Sequence, residues 1–277
     1  MTGRYASFTF VDRITALTPG VAAEGTFHVP AHAGAFPVSL LAEATGQLAA
    51  WVAVAKLGFR LRPVAGIAHE TIYAGAPRAG DTLETRIRID SCEDDAVAYQ
   101  GWCRIGGKTV LELRDCVGPM LPLEDFDEPE AMRAFYDVLC TTGATPDRFP
   151  GVAVTPLVPL AGESGRSATA RLDVPRDAPY FADHFPRRPV FPGTLLLDRM
   201  TALAAGVARE AAAGREVVAA RVTDVKLRAF TEPGAALTLH AAVEPGGGRT
   251  IGAALEARAE GQRRPVGGAR VAFEVLQ

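Results

Sequence analysis

The sequence predicts an α+β fold built twice in one chain, each copy a long helix wrapped by a curved antiparallel sheet. Two observations carry this. F-P-V-S-L-L-A-E-A at 36–44 recurs as F-P-G-T-L-L-L-D-R at 191–199, pairing Pro37 with Pro192 and Glu43 with Asp198 at an offset of 155 residues. G-D-T-L-E-T-R-I at 80–87 is paralleled by G-A-A-L-T-L-H-A at 234–241, at an offset of 154. Self-similarity at one spacing marks duplicated structural units. Upstream, F-H-V-P at 27–30 answers L-D-V-P at 172–175, but at an offset of 145. The second copy therefore carries about ten extra residues between its Val-Pro and its Phe-Pro.

The elements follow from local pattern. Each long helix starts behind a Phe-Pro pair, and Leu40, Leu41, Ala44, Leu48 and Trp51 recur near one face at helical spacing. Small residues are abundant in both helices, as close wrapping by a sheet requires. Later segments alternate with the period of a strand. Leu83, Ile87 and Ile89 interleave with Glu84, Arg86 and Arg88, and the second copy repeats the pattern with Leu237, Leu239, Ala241 and Val243. Turns are expected at Gly106-Gly107, Pro233-Gly234 and Gly246-Gly247-Gly248. Between the copies, Pro122 to Pro150 is acidic, holds a short helical pattern from Glu130 to Leu139, and runs out in T-T-G-A-T-P-D. The expected division is 1–123, a linker at 124–150, and 151–277.

Composition narrows the function classes. Of 277 residues, 48% are hydrophobic and 22% charged, the balance of a well-cored globular protein. A net charge of −3 provides no basic footprint, which argues against nucleic acid as a partner. Cys92, Cys103, Cys116 and Cys140 show neither a disulfide framework nor metal-ligand spacing. The opening M-T-G-R-Y-A-S-F-T-F has no basic-then-apolar signal pattern. The most apolar stretches, 38–57 and 192–213, are interrupted by Glu43, Gln47, Asp198 and Arg199, which a membrane span tolerates poorly. A cytoplasmic protein without a membrane span is the expectation.

The segment that carries chemistry is Y-F-A-D-H-F-P-R-R-P-V-F-P-G-T-L-L-L-D at 180–198. It resembles the signature of the bacterial β-hydroxyacyl-ACP dehydratases, H-F-P-x-x-P-V-x-P-G followed by a helix bearing Glu or Asp. His184 and Asp198 keep that family's histidine-to-acid spacing of fourteen residues. Three departures stand out: Asp183 and Arg187 occupy positions where the family usually has glycine, and Ala202 replaces a frequent glutamine. The glutamine appears in the other copy, where Glu43 and Gln47 lie one turn apart in E-A-T-G-Q. That copy, in turn, lacks the H-F-P loop. Each copy has kept one half of a site.

The resemblance implies a hotdog fold, here a fused double hotdog that reproduces within one chain the family's dimer. In such dimers the histidine of one protomer meets the carboxylate of the other. His184 is therefore expected to face Glu43 and Gln47, leaving Asp198 opposite no histidine and structural, vestigial or catalytic in some other pairing. The implied reaction is dehydration of (3R)-hydroxyacyl thioesters carried on the phosphopantetheine of acyl carrier protein, giving trans-2-enoyl products. Histidine would take the C2 proton and a carboxyl group protonate the leaving hydroxyl. Gly193 would let backbone donors at a helix N-terminus approach the thioester oxygen. Arg187 and Arg188 are either a solvated loop or contacts for the phosphopantetheine phosphate and the acidic carrier. Neither a metal nor an organic cofactor is implied.

Other readings stay open. Glu43 could be a solvated helix residue and His184 a capping residue in a proline-rich loop. His28, His32, His69 and His240 carry little signal. The Asp-bearing motif also resembles bifunctional enzymes that add isomerisation. A hotdog thioesterase, or a non-catalytic acyl-binding subunit, are the alternatives, and further assembly would make a homodimer of pseudodimers.

Overall fold

Each half of the chain builds its sheet around a helix launched by proline. The computed structural model describes residues 4–33, 36–244 and 249–276. The first half runs β1 (Arg13–Thr18), β2 (Ala22–His28), α1 (Ser39–Lys56), β3 (Leu61–Pro63), β4 (Ile67–Tyr73), β5 (Thr82–Cys92), β6 (Ala96–Ile105) and β7 (Lys108–Pro122). After α2 (Pro129–Cys140), the second half runs β8 (Leu157–Glu163), β9 (Ser167–Asp173), α3 (Gly193–Ala211), β10 (Val217–Leu227), β11 (Ala236–Val243), β12 (Thr250–Ala259) and β13 (Gly267–Val275). The order repeats, except that β3 has no counterpart among the described residues of the second half.

The strand alternation read from sequence is the burial pattern of the sheet. In β5, Leu83, Thr85, Ile87 and Ile89 are buried while the charged residues between them face out. In β11, Leu237, Leu239 and Ala241 are buried. Gly106 and Gly107, with φ of +55° and +76°, close the tight β6–β7 hairpin in the left-handed geometry that matches strand twist. The proposed Gly246–Gly248 turn lies outside the described residues.

Helix α1 lies so close to the sheet that Gly101 on β6 cannot be larger. A Cβ there would stand 2.6 Å from the Arg86 carbonyl oxygen and 2.8 Å from Thr45 Cγ2. Leu40, Leu41, Ala44 and Leu48 are completely buried beneath it.

The two halves share one antiparallel sheet in the order β1-β2-β5-β6-β7-β4-β10-β13-β12-β11-β9-β8. The seam is β4 against β10, with Ile72 opposite Arg221 and Ile67 opposite Lys226. Glu70 spans it, pairing with Arg114 of β7 at 2.7 Å and Arg221 of β10 at 3.2 Å. Beneath the seam, α1 and α3 pack on a single core, which joins Leu40 and Leu41 to Leu195, Leu196 and Met200. This is a double hotdog.

Residues 124–150 do more than connect. Phe126, Leu139 and Phe149 are completely buried, and Phe135 of α2 stacks on Tyr5 at 4.5 Å. No helix among the described residues is long and apolar enough to cross a membrane. All four cysteines are free thiols.

Candidate active site

The extra residues of the second half form the loop between β9 and α3, and that loop closes on itself around His184. The His184 N–H donates to the Tyr180 carbonyl at 2.8 Å, and the Val190 N–H donates to the His184 carbonyl at 3.0 Å. The imidazole Nδ1 lies 2.9 Å from the Val190 carbonyl oxygen. A carbonyl can only accept, so Nδ1 carries the hydrogen and Nε2 is left as the basic nitrogen. Phe185 stacks on the ring at 4.1 Å and Phe8 meets it edge-on at 5.4 Å. Burial lowers the imidazole pKa from 6.5, with Arg62 acting the same way, while Glu43 and the Val190 carbonyl pull it up. The ring is held neutral.

Glu43 approaches from the other half. Along α1, Ala42, Glu43, Gly46, Gln47 and Ala50 form a half-buried stripe beside the buried leucines. The small members of that stripe leave open the cavity into which the polar members project. Thr194 Oγ1, in the first turn of α3, donates to Glu43 Oε2 at 2.7 Å. Gln47 Nε2 donates to Glu43 Oε1 at 2.9 Å and also to the Phe8 carbonyl at 2.9 Å. Gln47 Oε1 accepts from the Phe10 N–H at 2.9 Å. The carboxyl is thus oriented by both halves.

His184, Glu43, Gln47, Gly193 and Thr194 line one cavity of about 240 Å³ between the halves. Its walls include Trp51 and Val54 of α1, Tyr73 of β4 and Met132 of α2. A Cβ at Gly193 would stand 2.3 Å from Leu227 Cδ1, the tip of a flexible side chain, so a larger residue at this helix start would have to push Leu227 aside.

The remaining residues singled out from sequence lie elsewhere. Asp198 pairs with the neighbouring Arg199, its Oδ2 accepting from Nε at 3.0 Å, and borders a separate shallow hollow with Pro37, Val152 and Phe191. No histidine lines that hollow among the described residues. Arg187 is engaged within the chain, donating to the Glu124 carbonyl at 2.9 Å and pairing with Glu128 at 3.4 Å. Arg188 is exposed, its guanidinium 4.9 Å from the Phe230 ring centroid. His28, His32, His69 and His240 do not border the main cavity.

Three features escaped sequence reasoning. Asp183, noted only as a departure from glycine, accepts the backbone N–H groups of Tyr5, Ser7 and Phe8 at 2.8, 2.6 and 2.9 Å. It straps the N-terminal segment over the histidine loop. Thr194 reads in sequence as an ordinary hydroxyl near a helix start. Arg62, between Leu61 and Pro63, carries no motif or periodic signal in sequence, yet it reaches the cavity.

Residues 161–260 match the family model described as ApeI-like, ApeI dehydratase. The 3-hydroxyacyl-(acyl-carrier-protein) dehydratase FabZ of Agrobacterium fabrum is 27% identical over 137 residues, covering 49% of this chain and 88% of the relative. Its namesake from Rhodospirillum rubrum is 32% identical over 115 residues, covering 40% and 71%. Among solved structures, a MaoC-like dehydratase superposes with a TM-score of 0.55 at 14% identity over 94% of this chain and 98% of that one. The 12:0-ACP thioesterase from Umbellularia californica superposes at 0.56 and 10% identity, over 92% and 94%. At such identities the two structures establish a shared fold alone.

Proposed function

The chain belongs to the hotdog dehydratase family, and from that premise we propose that it removes water from 3-hydroxyacyl thioesters borne on acyl carrier protein, with His184 as base and Glu43 as acid. The observation that carries this reading is the cavity shared by His184 and Glu43, in which Glu43 is held by Thr194 of the opposite half.

The chemistry runs through these two groups. Nε2 of neutral His184 takes a proton from C2, and the C2 electrons form the C2–C3 double bond as the C3–O bond breaks. The proton of the Glu43 carboxyl goes to the departing hydroxyl, which leaves as water. The Thr194 hydroxyl can turn from donor to acceptor as the carboxyl gains or loses that proton. Transfer of the proton from His184 back to Glu43 restores the starting state. Charge developing on the thioester oxygen is met by the N-terminus of α3 at Gly193, where backbone N–H groups and the helix dipole favour it.

The carrier would approach past Arg188, whose guanidinium is exposed beside the loop. A short 3-hydroxyacyl thioester offered to the pure protein tests the assignment in one assay. Enoyl absorbance supports dehydration, free thiol without it identifies a thioesterase, and silence on both identifies an acyl-binding subunit.

A further inference from the structure

Arg62 stands in the cavity with no task in the elimination just described. It lies on β3, the strand without a counterpart among the described residues of the second half. Its guanidinium carbon is 3.8 Å from the Phe185 ring centroid, and that ring lies 4.1 Å from the His184 imidazole. The cation is no farther from His184 than these two steps end to end.

Its partners are ring faces. Nε is enclosed and has no hydrogen-bond partner among the described residues. Asp127, which also borders the cavity, is engaged by Arg4, the Tyr5 hydroxyl and the Glu128 N–H. Both Glu43 oxygens are engaged by Gln47 and Thr194. Burial pulls the guanidinium down to about 10, which leaves it charged at neutral pH. Asp127 and Glu43 favour the charge only from a distance. An enclosed cation with no direct ion pair among the described residues is costly, and stacking on Phe185 offsets only part of the cost. A guanidinium offers a rigid fork of donors shaped for oxygens, and here the fork borders the space where substrate must sit.

We propose that Arg62 is a substrate contact: a guanidinium site inside the cavity for a negatively charged oxygen of the acyl thioester. This rests on the dehydratase reading. The oxygen has two sources, a carboxylate on the acyl chain or the thioester oxygen itself as C2 loses its proton. The phosphodiester of the carrier's prosthetic arm does not suit, because it lies at the far end of the arm from the carbons His184 must reach.

The test compares the wild type with Arg62→Met and Arg62→Lys on N-acetylcysteamine thioesters of 3-hydroxybutyrate (neutral) and 3-hydroxyglutarate (carboxylate), and on phosphopantetheine-borne 3-hydroxybutyrate. Glutarate is added as a binding probe, read by the thermal midpoint. An enolate contact predicts that Arg62→Met lowers kcat at least about tenfold on every substrate at unchanged KM, with Arg62→Lys recovering part of the loss. A carboxylate contact predicts a loss confined to the glutaryl substrate, through KM, and loss of the glutarate-induced rise in midpoint. Either result supports the proposal. Activity of Arg62→Met within about twofold of wild type on all substrates, with the glutarate response intact, overturns it. So does a loss seen only on the phosphopantetheine-borne substrate, which would assign Arg62 to the arm. If the wild type dehydrates nothing, the parent reading fails by itself, and the glutarate response with and without Arg62 still decides the anion site. Should Arg62→Met not fold, Arg62→Gln carries the same comparison.

Discussion

His184 is held neutral by its surroundings, and this fixes the sign of its pH dependence. Burial depresses the imidazole pKa below 6.5, so the basic form is populated at neutral pH. The acid limb of kcat/KM should therefore fall below the ordinary imidazole value of about 6.5. The linked stability is present above about 6.5 and is lost as pH falls from there through the folded-state value, because the unfolded chain binds the proton first. Thermal midpoints across this range check the stability, and a limb above 6.5 would contradict a buried base. His184→Ala and Glu43→Gln should each lower kcat by about 10²–10⁴-fold in folded protein, the usual scale of one acid–base group. Asp198→Asn should stay within about tenfold, since its carboxylate pairs with Arg199 away from the main cavity. The reverse ranking in an enoyl assay would move the acid to Asp198.

At the scale of elements, the histidine loop is held by two pieces of chain outside its own repeat. One is the N-terminal segment, whose Tyr5, Ser7 and Phe8 amides converge on Asp183. Asp183→Asn puts an amide N–H against donors and should cost about 1–3 kcal/mol, read as a lower thermal midpoint and faster proteolysis near residues 5–10. The other is the stretch before α2, where Phe126 accepts from the Arg187 N–H at 3.0 Å and Glu124 and Glu128 receive its guanidinium. Arg187→Glu should then impair turnover of carrier-borne and small thioesters alike, because it releases the loop that positions His184. Arg188→Glu should raise KM for the carrier-borne substrate only, since among the described residues its exposed guanidinium makes no hydrogen bond or ion pair and only lies over the Phe126 and Phe230 rings. Equal behaviour of the two variants would remove the distinction.

At the scale of the molecule, one sheet and one core cross the boundary between the repeats, so the halves should unfold together. Both tryptophans, Trp51 and Trp102, lie in the first half, whereas far-ultraviolet circular dichroism reports strands of both. Denaturation followed by fluorescence and by circular dichroism should give coincident transitions. Two separate midpoints would show that the β4–β10 seam does not couple the halves.

The duplicated Phe-Pro helices, the alternating strands and the histidine loop were legible in the sequence because each is written in a local period or motif. A helix repeats its buried face every three or four residues and a strand every two, so burial can be read without knowing the neighbour. The complementary losses, a loop kept in one copy and a Glu-Gln pair in the other, even suggested which groups should meet. What tertiary structure alone decided is how distant pieces of chain converge on them. Asp183 captures amides more than 170 residues away, α2 becomes a wall of the cavity, and Arg62 comes to rest on Phe185. None of these has a periodic signature. A charged residue in a short strand reads the same whether it faces water or a cavity, because its environment is made by the elements that fold around it.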